Sequence, residues 1–271
     1  AVPQWKGSLP DVTEVQEPID YFRQLLKPTT VQYIVEQTNL FSVQCDPSKP
    51  LNVSNEELEQ FIGICFYMSV FGLPRSRMYW KASCRVDCVA NTMSVLRWEA
   101  IKRFLHLSNN DEQVPVGHLG YDRLFKIRPL ITALLESFQG IPMDEKLCVD
   151  EQMVPFKGKS SMKQYNPKKP KRWGYKIFVL SDSNGVVYNF DIYSGPILPV
   201  DGMPDIGASG NIVLKLVSIV PQNLSHKIYY DNWFCSVDLQ VALSMLFEGE
   251  PSEAQCDDSY RGVRSQLYYC Y

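Results

Sequence analysis

Apolar positions recur at helical spacing through the first half of the chain, and the period changes after Pro142. Tyr21, Phe22, Leu25 and Leu26, then Val31, Ile34 and Val35, repeat every three or four residues over 20–37, as one face of a helix does. Pro28 splits that stretch in two, because proline lacks the N–H that a helix interior needs. Ser54-Asn55-Glu56-Glu57 has the serine and third-following glutamate of a capping box. The helix it opens, 55 to about 71, is apolar nearly all round, which predicts a place at the centre of a core. Gly72 and Pro74 end it. A further helix is expected over about 93–106, with Val95, Leu96, Trp98, Ile101, Phe104 and Leu105 facing inward. Another is expected over about 122–138, through Leu124, Ile127, Leu130, Ile131, Leu134 and Leu135, with a kink or break at Pro129. Residues 1–17 carry proline breaks and little periodicity, and read as an extended arm or linker.

Beyond Pro142 the pattern is that of strands. Residues 146–150, 175–180 and 186–193 form three, the last two joined by the tight turn Ser183-Asn184-Gly185. A loop with Gly202, Gly207 and Gly210 leads into a helix over 211–220, ended by Pro221. A fourth strand at 226–231 and a helix at 237–247 follow. The order β-β-β-α-β-α resembles the first two-thirds of a ribonuclease H-like fold. There, three antiparallel strands lead through a helix to a parallel strand beside the first. The expected fold class is therefore α+β or α/β: a helical domain, then an incomplete ribonuclease H-like mixed sheet with flanking helices. In such a sheet the ends of the first and fourth strands are neighbours.

Composition adds a location for charge. The chain of 271 residues carries a formal net charge of −3, so nothing global marks a polyanion partner. Residues 152–181, however, hold eight Lys or Arg and no Asp or Glu, and focused charge steers polyanions. The eight cysteines lie mostly in apolar runs without a C-x-x-C pair, which predicts buried, reduced thiols in an intracellular protein. No apolar run approaches ~20 residues, so no membrane span is expected. The first residue is Ala rather than Met, as in a piece of a longer protein.

Asp150 and Asp231 close the first and fourth strands, and carboxylates delivered there can share a divalent metal such as Mg²⁺. An aspartate at a strand end also serves as a turn or cap residue. The lysine-rich segment strengthens the chemical reading. Lys157, Lys159, Lys163, Lys168, Lys169, Lys171, Arg172 and Lys176 follow the first strand, and Tyr165 and Trp173 among them offer stacking faces to bases. Pro167-Lys168-Lys169-Pro170-Lys171-Arg172 also reads as a nuclear import signal. Glu151 sits beside Asp150 but on the opposite face of a strand. His106, His118 and His226 show no ligand spacing and read as structural, and the glycine loop lacks the Gly-Lys-Ser/Thr of a P-loop.

Several motifs then occur together in order: Phe104-Leu105-His106-Leu107-Ser108-Asn109, Leu124-Phe125-Lys126-Ile127-Arg128-Pro129-Leu130, Cys148-Val149-Asp150-Glu151-Gln152-Met153, Phe156-Lys157-Gly158, Tyr165-Asn166-Pro167-Lys168-Lys169-Pro170, Trp173-Gly174-Tyr175-Lys176 and Tyr230-Asp231-Asn232-Trp233-Phe234. On these the chain resembles the piggyBac transposases over about 18–248. The resemblance implies a cut-and-paste DNA transposase with a helical dimerisation and DNA-binding domain (18–141 here) and a partial ribonuclease H-like catalytic domain (142–249). It also implies DNA as partner, a homodimer, a nuclear location, no small-molecule substrate, and Mg²⁺ held by three aspartates. Asp150 and Asp231 fall on the first two. The third has no counterpart, because residues 250–271 depart from the family, and Asp257 and Asp258 stand too close to Asp231 to replace it. The family's zinc-binding cysteine-rich domain has no counterpart either. The leading expectation is a transposase-derived DNA-binding protein lacking full transposition activity. The alternatives are a fragment of an active transposase, and a non-catalytic interaction protein or the product of a decaying element.

Overall fold

The computed structural model describes residues 4–11, 14–167 and 169–248. Lys168 and the divergent tail, 250–271, lie outside the described residues. The chain divides into two compact units, one of residues 16–134 and one formed by the described residues of 1–15 and 135–271.

The first unit is helical. α1 (Pro18–Leu25) and α2 (Pro28–Cys45) each start on a proline, where the missing N–H has no helical partner to lose. α3 (Asn55–Phe71) carries the expected capping box: Glu57 N–H donates to Ser54 Oγ at 3.2 Å, and Ser54 N–H donates to Glu57 Oε2 at 3.2 Å. Gly72 ends the helix in the left-handed region, φ 67°. α4 (Asp87–Ala90) and α5 (Val95–Phe104) follow, the latter capped by Ser94. Arg97 of α5 grips both Glu57 oxygens at 2.7 Å and the Leu51 and Asn52 carbonyls, fixing α5 to the start of α3. That guanidinium holds the Glu57 carboxyl below the usual glutamate range. The core collects Leu58, Phe61 and Ile64 of α3 with Val31, Ile34, Trp98 and Ile101.

Four expectations are corrected here. α3 is not buried all round: Phe66 and Val70 are 60% and 89% exposed, because α3 buries only the stripe Leu58, Phe61 and Ile64 in this core. Leu96 does not face inward but is exposed on α5, off the Trp98–Ile101 stripe. Of the kink or break expected at Pro129 a break is present, but it falls just before the proline, and the helix starts later than expected. Residues 125–127 form a 3-10 turn and α6 (Arg128–Gln139) begins at Arg128, so the proline stands in a first turn that asks for no N–H. Cys45, Cys65 and Cys88 are exposed rather than buried, since apolar neighbours in sequence do not fix which side of a helix a thiol takes.

The second unit is a sheet of β1 (Lys146–Pro155), β2 (Gln164–Tyr165), β3 (Trp173–Asp182), β4 (Val187–Ile192) and β5 (Lys227–Tyr230), with α7 (Gly207–Val217) and α8 (Val237–Glu248) packed on it. β3 pairs antiparallel with β1 on one side and with β2 and β4 on the other, while β5 lies parallel to β1. The expected strand order is thus present, and β2 is an added two-residue strand too short to leave a period. Leu147, Val149, Phe178, Leu180, Ile228 and Tyr230 form one buried sheet face against α7 and α8. Each such side chain contributes roughly 1.5–3 kcal/mol by leaving water. Gly185 turns the β3–β4 hairpin at φ 86°, and buried Asp182 accepts from Asn184 N–H, Val186 N–H and the Tyr188 hydroxyl. Burial pushes the Tyr188 phenol up to about 12. In the N-terminal segment Lys6 N–H donates to Leu224 O at 3.0 Å, and the Trp5 ring meets His226, which rests on the Asp144 carbonyl.

Candidate metal and nucleic-acid site

The alternation of β1 decides which way its acidic residues point. Leu147 and Val149 are buried in the core, so Cys148 and Asp150 lie on the opposite face. β5 alternates in step: Leu147 pairs with Ile228, Cys148 with Tyr229 and Val149 with Tyr230. One further step along that parallel register lie Asp150 and Asp231. Neighbouring strands run ~4.8 Å apart, so the two carboxylates issue from adjacent positions. Asp231 stands just past the end of β5, but Asp150 does not close its strand as expected, because β1 continues in its pairing with β3 to Pro155. Each has one oxygen fixed by a nearby N–H, Asp150 Oδ1 by Glu151 at 2.7 Å and Asp231 Oδ1 by Trp233 at 2.9 Å. The two acids and burial together push the Cys148 thiol up, burial contributing most.

The basic segment folds back against the second half of β1. Tyr165 pairs with Trp173 across β2 and β3, their rings 4.8 Å apart and each about half exposed. Asn166 N–H donates to Arg172 O, closing the loop between them. Lys163 donates to Gly158 O and lies 5.1 Å over the Trp173 ring. Lys157, Lys159, Lys171 and Arg172 are exposed. Lys169 reaches back to β1, donating to the Glu151 carbonyl at 3.1 Å with its ammonium 3.7 Å from the Glu151 carboxylate. A cleft of about 460 Å³ results, walled by Asp150, Gln152, Val179 and Ser181 of the sheet and by Lys169 and Lys171 of the loop. The structure therefore brings Lys169 and Lys171 to Asp150, and leaves Lys157, Lys159, Lys163 and Arg172 outside that cleft.

Three residues act in ways their sequence positions did not disclose. Glu151, on the face away from Asp150, anchors the loop; burial pushes its carboxyl up and Lys169 and Lys176 pull it back. Lys176 is half-buried and lies over two aromatic rings, 4.5 Å from that of Phe178 and 4.4 Å from that of Trp233. Gly174 lets β1 and β3 approach: a Cβ there would stand 2.0 Å from Val154 O. A glycine inside a strand is itself a sign of close backbone approach, and Gly174 was legible to that extent.

A divalent ion of the magnesium type is ordinarily held by one or two carboxylates, with water and substrate phosphates completing the shell. Asp150 and Asp231 fit that requirement. Among the described residues no group of three His, Cys, Asp or Glu side chains could hold a metal. No described helix is long and apolar enough to cross a membrane.

Comparison with known proteins bears on the same residues. The family model described as Transposase IS4 matches residues 17–245. The chain is 29% identical to human PiggyBac transposable element-derived protein 2, over 88% of the chain and 40% of that relative. It is 28% identical to human PiggyBac transposable element-derived protein 3, over 86% and 39% respectively. It thus spans about two-fifths of the length of these curated relatives. Its fold is similar to that of the piggyBac transposase in a cryo-EM synaptic complex with hairpin DNA, with TM-score 0.71 and 22% identity over 84% of this chain and 48% of that one. The mixed sheet with flanking helices is of the expected ribonuclease H-like fold class.

Proposed function

The chain belongs to the Transposase IS4 family, among piggyBac-derived relatives, and from that premise we propose that it is a transposase-derived protein that binds DNA through the ribbon between β1 and β3. One observation carries this reading: Lys169, tied to Glu151, and Lys171 line the cleft beside Asp150 of β1. Cations fixed there meet phosphate oxygens without first being ordered, and Tyr165 and Trp173 present half-exposed rings to unstacked bases. The solved DNA complex of a protein with this fold supports the same partner. Exposed Lys171 and Arg172, within the import-like segment 167–172, fit a nuclear location.

A second reading, metal-dependent strand cleavage, is favoured by the register that puts Asp150 beside Asp231. Transposases of this nuclease type generally use a divalent metal. Bound there, Mg²⁺ would activate the attacking oxygen and stabilise the leaving one. The chain's own part is to hold two carboxylates in place, each fixed by an adjacent N–H, with the ribbon holding the phosphates that flank the break.

Salt dependence tests the DNA reading. The affinity for a labelled duplex, measured by fluorescence anisotropy between 50 and 200 mM salt, should fall steeply. With about four phosphates neutralised, log K falls against log salt with a slope of about −3.6. An affinity that does not change with salt contradicts it.

A further inference from the structure

The N-terminal arm packs on the sheet unit at one place. Of residues 4–11 only Trp5 and Gly7 are not exposed. The Trp5 ring lies back across Gly7, where a Cβ would stand 2.5 Å from it, and it meets the His226 ring in a T-shaped contact with centroids 6.0 Å apart. Between the two, Lys6 N–H donates to Leu224 O at 3.0 Å. Leu224 is flanked by Asn223 and Ser225, both in the left-handed region at φ 62° and 60°. Residues other than glycine keep such a backbone only where the surroundings fix it. The arm thus grips the bend that feeds β5.

His226 carries the grip into the sheet. A carbonyl only accepts, so the His226 Nδ1–H donates to Asp144 O, at 2.9 Å, just ahead of β1. The ring is 6% exposed, and burial favours its neutral form. The next residue repeats the tie: Lys227 N–H donates to Glu145 O at 2.8 Å, and its ammonium pairs with the Glu145 carboxylate. β5 needs such an anchor, because it is an edge strand with four register pairs to β1. Buried Ile228 and Tyr230 oppose a slip of one residue, which would turn both to the other face. A slip of two keeps them inward, yet carries Asp231 about 6.6 Å along the strand from its place beside Asp150. A bond at the start of the strand tells the two registers apart, and His226 makes it beneath Trp5. We infer that Trp5 is a positioning residue for the Asp150–Asp231 pair: seated on His226, it holds β5 in the register that sets the two carboxylates side by side. This rests on the reading of the two aspartates as a metal pair.

Hydrogen exchange of the full chain, read by mass spectrometry, tests this together with Mn²⁺ binding followed by electron paramagnetic resonance. In Trp5→Ala the segment 228–230 should exchange about tenfold faster than in the parent, while β3 and β4 keep their rates. Its Mn²⁺ affinity should fall about tenfold. Gly7→Ala, which drives a methyl into the Trp5 ring, should do the same. Trp5→Phe, which keeps an aromatic ring in the seat, should match the parent. Unchanged exchange at 228–230 in Trp5→Ala and Gly7→Ala, or equal loosening of β3 and β4, overturns the inference. Asp231→Asn keeps the two levels apart. Mn²⁺ affinity that survives this change sinks the metal-pair reading, and exchange at 228–230 still decides for or against the arm. If Asp231→Asn abolishes Mn²⁺ binding that Trp5→Ala leaves unchanged, the metal pair stands and the positioning role of Trp5 falls.

Discussion

Gly174→Ala should lower the melting temperature of the protein and disable the ribbon in the same step. The added Cβ would stand 2.0 Å from Val154 O, 2.7 Å from Val154 C and 3.1 Å from Pro155 Cα. All three are backbone atoms, so no side chain can swing aside. β1 and β3 must part where Val154 and Pro155 pair with Tyr175 and Gly174. Overpacking of a site that cannot relax costs about 1–3 kcal/mol, and a clash with the backbone of β1 belongs at or above about 3 kcal/mol. In a unit of this size that is a fall of roughly 6–12 °C. β2 pairs with β3 at Gly174 and Trp173, so the paired Tyr165 and Trp173 lose their frame at the same time. Differential scanning calorimetry and a DNA titration on one sample check both effects. An unchanged melting temperature contradicts the packing argument.

Reversing Lys169, Lys171 and Arg172 together to glutamate should reduce DNA affinity by about 10²–10³ at 0.1 M salt. Each phosphate contact releases counterions worth about 0.9 log units at that salt, so three lost contacts amount to roughly 2.7 log units before any repulsion is added. Lys169→Glu also places a new carboxylate where Lys169 now meets Glu151, which releases the loop from β1. The expected binding curves are measured against the parent by anisotropy. A loss of less than about threefold, with the fold intact, would place the DNA contact elsewhere.

What could be read from residues alone was mostly local. The Ser54–Glu57 box and the Gly72 stop follow from spacing, and both bonds of the box are present. The order of strands was legible because three extended runs and a crossover helix leave few topologies. The convergence of Asp150 and Asp231 followed from that order, and the register of β1 and β5 runs up to Val149 and Tyr230, the residues just before them. Misreadings arose where burial depends on what a face meets. Phe66, Val70 and Cys65 lie among apolar residues yet are exposed, because α3 presents only one stripe to its core. Pro129 signals a break equally well inside a helix or at its first turn, and only the 3-10 turn before it distinguishes the two. The role of Glu151 was illegible for another reason. Its partner Lys169 is 18 positions away on a loop with no period, and the contact exists only once that loop has folded back over β1.

The two carboxylates as holders of one ion can be tested without DNA. The folded chain is loaded with Fe²⁺ in place of magnesium and exposed to ascorbate and peroxide, and the cut positions are mapped by mass spectrometry. A shared ion predicts backbone cuts close to both Asp150 and Asp231, with both sets lost when either residue alone is changed to asparagine. Cutting near only one of them, or cutting that persists at one after the other is changed, would contradict it.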